Sequence, residues 1–267
     1  MAATLGTWVG VWGLGICVAG AACTTQRLET VPPPPPRDGL ALLNRMRDAY
    51  LGKWFRTVTF TQLTTMHRPS GVTDTSTWYE ALLTPDRLRI DFGDLKDRNG
   101  VIYTADSLYV VRGGTVTRTA ASGNPFLPFV AGVYAQPIDT TLKQIRPYNF
   151  DLSRLRTDTW ENRPVYVAGS SAATDTTAPQ FWVDTERLVV VRMLVHLNPA
   201  QPADVADIRL MDYRPVTGGG WLAVKVDIMQ GGKVVQKEEY SDWRGNVDLP
   251  RDFFVAEKWS AVPHWHR

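Results

Sequence analysis

Side chains able to do chemistry are sparse in this sequence. Its four histidines are His67, His196, His264 and His266, and its two cysteines are Cys17 and Cys23. His264-Trp265-His266 has the spacing of an exposed tail rather than of a zinc site, because a tetrahedral site needs further ligands that no nearby motif supplies. His196 follows Arg192 at even spacing along an apolar strand, where a packed or surface histidine is the ordinary case. Gly169-Ser170-Ser171 lies in a Ser/Thr/Ala loop without an adjacent base, and no G-x-S-x-G elbow, P-loop or dinucleotide fingerprint occurs. The neighbouring acids Glu238 and Glu239 fall in a strand pattern, so they point to opposite faces and cannot share one substrate. This inventory predicts no enzyme, no metal site and no cofactor.

The thiol of Cys23 is the more informative group. From Met1 to Cys23 there is no ionisable side chain apart from the two thiols, and Leu14 to Ala22 is a short apolar core ending in Gly20-Ala21-Ala22. Such a segment is too short to span a bilayer and reads as an export signal. Small residues before a cysteine resemble the lipobox of bacterial lipoproteins, whose cysteine becomes the lipidated first residue of the mature chain. That resemblance implies residues 1–22 as signal peptide and Cys23 as membrane anchor. Cleavage near Ala21 or Ala22 with plain secretion, or an uncleaved anchor, are the alternatives. After processing only Cys23 remains, so a structural disulfide is excluded. Residues 23–37 follow as a tether: Pro32 to Pro36 favour an extended polyproline rod, or else a mature N-terminus without a spacing role.

Residues 38–259 are long enough for one domain with a substantial core, followed by a tail at 260–267. The formal net charge is +2 with both signs interspersed, which argues against a nucleic-acid surface. Asp38 can cap a helix carrying Leu40, Leu43, Met46 and Tyr50 at helical spacing, with Gly52 ending it. The period then changes to two. Leu88, Ile90 and Phe92 alternate with Arg87, Arg89 and Asp91 in the clearest strand, which predicts one dry face and one wet face. Turn signals at Asn99-Gly100, Asp106-Ser107, Gly113-Gly114, Asp184-Thr185, Gly218-Gly219-Gly220 and Gly231-Gly232 punctuate two runs of strands. The expected fold is mainly β with few helices (α+β): an unclosed, strongly curved antiparallel β-barrel of about ten or more strands, with helices covering the concave side.

Asn124 to Tyr134, NPFLPFVAGVY, breaks this texture. It is a poor strand because Pro125 and Pro128 cannot donate to a ladder, and it is too apolar for a solvated loop. It reads either as a core-covering loop or as a lid formed by Phe126, Leu127 and Phe129, followed by a short helix from Asp139 to Arg146.

The order of helix, strand pair, Pro85-Asp86-Arg87-Leu88-Arg89-Ile90 strand, Val101 to Val111 hairpin, Pro-Phe apolar segment and second meander ending in Asp252-Phe253-Phe254 resembles the LolA/LolB-type lipoprotein carriers and related periplasmic lipid-binding lipoproteins. Thr84 stands where the carriers have an Arg before the proline. The resemblance implies a hydrophobic cavity for acyl chains of lipid or lipoprotein, lined here by Leu88, Ile90, Phe92, Leu222, Val224, Val226 and Ile228. Thr24 after Cys23 resembles the second-position residues that let lipoproteins leave the inner membrane, so the expected place is the outer membrane facing the periplasm, with a secreted or free periplasmic protein as the alternative, and the expected state is a monomer. The same side chains could instead fill a dry core. The alternative function is an envelope sensor or assembly protein that binds a protein partner with the same fold.

Overall fold

The computed structural model describes residues 34–197 and 205–266. Cys17, Cys23, the segment preceding Cys23 and the start of the proline run lie outside the described residues. Residues from Pro36 onward form one compact unit.

Helix α1 (Gly39–Tyr50) begins where the Asp38 carboxylate accepts from the Ala41 amide at 2.7 Å, satisfying one of the amides left free at a helix start. Leu42, Leu43 and Met46 are fully buried, whereas Leu40, expected on the apolar stripe, is 38% exposed. The buried stripe is therefore rotated toward Leu42.

Thirteen antiparallel strands follow in one sheet. The first meander is β1 (Thr57–His67), β2 (Thr73–Leu83), β3 (Arg87–Phe92), β4 (Gly100–Tyr103), β5 (Leu108–Arg112) and β6 (Thr115–Ala120). The second is β7 (Leu155–Trp160), β8 (Arg163–Ala168), β9 (Gln180–Asp184), β10 (Val190–His196), β11 (Val205–Pro215), β12 (Trp221–Gln230) and β13 (Lys233–Gly245). Within each meander the strands pair with their sequence neighbours, and β1 pairs with β13 to join the two halves, leaving β6 and β7 as the two free edges among the described residues. The barrel is unclosed for that reason. β7 is an addition to the strands expected from the sequence.

The connection from β6 to β7 crosses the concave face. It contains a single π-helical turn, Pro128–Gly132, running into α2 (Val133–Ala135), and then α3 (Ile138–Ile145). The stretch expected to be irregular is thus largely helical. Pro128 is compatible with this because it occupies the first turn, where its missing N–H is not needed. The Asn124 side chain accepts from the Phe126 amide at 2.8 Å and holds the approach to that turn.

On β3 the outer face is dry at Arg89 and Asp91, contrary to the wet face expected from its charges, and only Arg87 stays exposed. Arg89 and Asp91 are 3% and 4% exposed and form a bidentate pair at 2.8 and 2.9 Å. The Arg89 guanidinium lies 4.4 Å from the Phe253 ring and 3.8 Å from the Trp259 ring. The chain after β13 wraps back over the first meander, burying Phe253 and Phe254 against Ala81, and Trp259 against Ile102 and Val111. His264 is part of this cover, with Nε2 3.2 Å from the Asp91 carboxylate, so the His264-Trp265-His266 end is packed rather than an exposed tail. Among the described residues no group of three His, Cys, Asp or Glu side chains could hold a metal ion.

Candidate binding cavity

The concave face does not fill completely. Between the sheet and the β6–β7 connection lies a cavity of about 400 Å³, within the ~300–1,000 Å³ range of small-ligand sites. Leu88, Ile90 and Phe92 of β3 line it, because alternation sends all three to the inner face. Leu222, Val226 and Ile228 of β12 line it too, together with Phe126, Leu127 and Phe129 of the covering segment.

Val224, expected beside them, is buried but lies outside the lining, and Ala223 takes part instead. The β11–β12 pairing passes from Met211–Lys225 to Tyr213–Ala223, and between these Asp212 has φ +53°, so the strict period of two is interrupted opposite Val224.

The three residues expected to form a lid are not equivalent. Phe126 is half-buried, whereas Leu127 and Phe129 are 3% and 1% exposed. Phe129 packs 5.0 Å from the Phe181 ring and 5.6 Å from the Phe150 ring, which ties it to the core of the second meander. Of the three, Phe126 alone is partly exposed, while Leu127 and Phe129 are core residues.

Aromatic rings missed by the strand pattern complete the wall. Trp54 stacks on Tyr134 at 3.7 Å and 15°, and both line the cavity. The Gly218-Gly219-Gly220 turn makes that position reachable: all three glycines have positive φ, and a Cβ on Gly220 would stand 2.6 Å from the Trp54 ring. Tyr134 donates to the Leu188 carbonyl at 3.1 Å, Tyr50 donates to the Arg187 carbonyl at 2.6 Å, and Trp221 donates to the Tyr50 hydroxyl at 3.0 Å. The polar ends of Tyr134, Tyr50 and Trp221 are thereby satisfied, leaving the apolar faces of Tyr134 and Trp221 for the cavity, whereas Trp54 Nε1 is buried without a partner among the described residues.

Two carboxyl groups interrupt the apolar wall. Glu80 on β2 and Glu238 on β13 both line the cavity, reaching the same face from either side of β1. Burial pushes Glu80 well above the ordinary carboxyl range, and the proximity of Glu238 adds to the rise. Burial also raises Glu238, partly offset by hydrogen bonds donated by Tyr240 and Gln236. Glu80 meets Glu238 only because β1 pairs with both β2 and β13. Glu239 is exposed on the opposite face.

No family model and no curated protein matches the sequence. Solved structures match over most of the chain. A domain assigned to outer membrane lipoprotein-sorting proteins, from Vibrio parahaemolyticus, aligns with TM-score 0.53 and 11% identity over 81% of this chain and 96% of its own. A DUF1329 family protein from Desulfovibrio piger aligns with TM-score 0.53 and 12% identity over 81% and 95%. A LolA superfamily protein from Nitrosomonas europaea aligns with TM-score 0.51 and 10% identity over 82% and 97%. At such identities the likeness is one of backbone architecture, and the chain has the fold seen in these LolA-type and lipoprotein-sorting domains.

Proposed function

We propose that this protein binds acyl chains of lipid or lipoprotein in its concave cavity, as a carrier or acceptor in the bacterial envelope, held to the outer membrane through a lipidated Cys23. The observation that carries the reading is the unfilled space of about 400 Å³ walled by Leu88, Ile90, Phe92, Phe126, Val226 and Ile228. An ordinary core closes such a space, because each void forfeits packing contacts. An acyl chain entering it gains about 0.8 kcal/mol per buried methylene, so a run of roughly eight methylenes supplies about 6 kcal/mol. The fold shared with lipoprotein-sorting and LolA-type domains supports the same reading. Binding rather than catalysis is the role proposed for the cavity.

The test is binding of a neutral fluorescent apolar probe, N-phenyl-1-naphthylamine, to the purified full chain, followed by displacement with acyl-chain compounds. Saturable binding reversed by acyl chains supports the proposal. Absence of saturable probe binding contradicts it.

A further inference from the structure

The two carboxyl groups are out of place in a cavity built only for hydrocarbon. Glu80 is 5% exposed, lines the space and makes no hydrogen bond among the described residues. Its cross-strand neighbours are Phe60 on one side and Ile90 on the other, neither of which can pair with it. Glu238 is 8% exposed and is held by the Tyr240 hydroxyl at 2.6 Å and by the Gln236 amide. Among the described residues no Lys, Arg or His lines the cavity, so neither carboxyl has a cationic partner there. Placing such groups in an apolar wall without a counter-charge costs folding free energy and calls for a reason.

The surrounding rings supply that reason. Phe60 stacks on Tyr240 at 4.4 Å, Trp78 lies 4.7 Å from Phe92, and all four line the cavity near the carboxyls in the strand register. Glu80 sits one pleat from Trp78 on the same face of β2, and Glu238 one pleat from Tyr240 on β13. Aromatic faces attract cations, and the two carboxyls, protonated while the cavity holds no cation, become carboxylates that neutralise one seated between them, so the combination is that of a cationic-nitrogen site. An anionic head group would meet two acidic side chains and no donor of positive charge.

We infer that the cavity takes an amphiphile whose polar end carries a protonated amine, seated between Glu80 and Glu238 against the Phe60, Trp78, Phe92 and Tyr240 rings. This rests on the acyl-binding reading and names the head-group class. The hydrocarbon of the ligand follows the apolar wall of Leu88, Ile90, Val226 and Ile228. The ammonium supplies the counter-charge that the wall lacks.

The experiment compares dodecylamine, dodecanoate and methyl dodecanoate, below their aggregation concentrations at pH 7, as displacers of N-phenyl-1-naphthylamine from the full chain. The quantity read is the ratio of displacement constants within each protein. Dodecylamine should displace at least tenfold better than dodecanoate, and Glu80→Gln should bring that ratio to within about threefold of unity. The Glu80→Gln/Glu238→Gln double variant should abolish it. Glu80→Gln removes no hydrogen bond and decides the matter alone should the double variant not fold. Displacement by all three compounds without preference, or preference for dodecanoate or the methyl ester, overturns the head-group assignment and leaves acyl binding standing. A preference for the amine that survives Glu80→Gln and the double variant overturns the role of the carboxyls. If the probe binds and none of the three displaces it, or the probe does not bind, acyl binding itself fails.

Discussion

The same substitution on the two faces of one β-hairpin separates a cavity from a filled core. Ile90 on β3 is 8% exposed and faces the cavity of about 400 Å³. Ile102 on β4 is fully buried on the outer face, opposite Arg89, where it packs with Val111, Ala256 and Trp259. An indole in place of Ile102 has no free space and forces off-rotamer side chains or backbone shifts, which costs about 1–3 kcal/mol or more. At Ile90 the added ring atoms enter the void, so Ile90→Trp should cost under about 1 kcal/mol while weakening acyl binding by occupying the site. Urea denaturation of both variants and the parent, fitted for midpoint and slope, measures the stabilities, and probe titration measures binding. A loss at Ile90 equal to that at Ile102, with acyl binding undiminished, would refute the reasoning, since it would mean that the inner face is as tightly filled as the outer one.

Other consequences can be measured on the same protein. Arg89→Ala should destabilise by about 3–5 kcal/mol, because it leaves the Asp91 carboxylate buried with only His264 at 3.2 Å, and it should expose the segment after β13 to limited proteolysis; a shift under about 1 kcal/mol with no new cleavage there would show that the clasp is not structural. Phe126→Asp should reduce acyl binding with the fold intact, whereas Phe129→Asp should unfold the chain by burying a carboxylate against Phe150 and Phe181; equal loss of circular-dichroism signal in both would remove the distinction. For pH, the raised Glu80 and Glu238 keep their protons in the folded chain while the unfolded chain releases them above the ordinary carboxyl range, so their ionisation lowers stability as pH rises. Glu80, which faces Glu238, Tyr103 and Tyr240, should on replacement by Gln leave stability near the parent at pH 4.5 and raise it by about 1–3 kcal/mol at pH 8, the scale of a buried polar group without a partner. An equal effect at both pH values would count against that linkage. Expressed in a diderm bacterium, Cys23→Ser should move the protein from the membrane to the soluble fraction, and membrane retention of the processed variant would rule out Cys23 as the anchor.

Alternation made most of the sheet legible, because a period of two is written directly into strands such as β3. The helix α1 was equally plain, with Asp38 as its cap. What escaped was long-range. The outer face of β3 looks solvated in sequence because Arg87, Arg89 and Asp91 are charged, yet Phe253 and Trp259 come from the far end of the chain to cover Arg89, and His264 to meet Asp91. Charge alone does not mark exposure when a guanidinium can be sandwiched between rings and paired with a carboxylate. Val224 was misplaced for a local reason, the left-handed Asp212 opposite it, which ordinary strand patterns do not announce. Glu80 and Glu238 are unremarkable one at a time and become a pair only when β1 bridges β2 and β13. The lid reading merged Phe126 with Phe129, since both follow a proline in one apolar run, although only the second is wedged among Phe150 and Phe181.

The central claim is that the concave space holds an acyl chain. Native mass spectrometry of the untagged protein, purified from its source membranes without added lipid, with organic extraction of the same sample, tests it most directly. The account predicts a mass increment beyond the processed chain and any covalent lipid on it, and an extractable acyl compound, both reduced in Ile90→Trp. A protein that carries only the mass of the processed chain and any covalent lipid on it and yields no acyl compound, in the parent and in the variant alike, would contradict it.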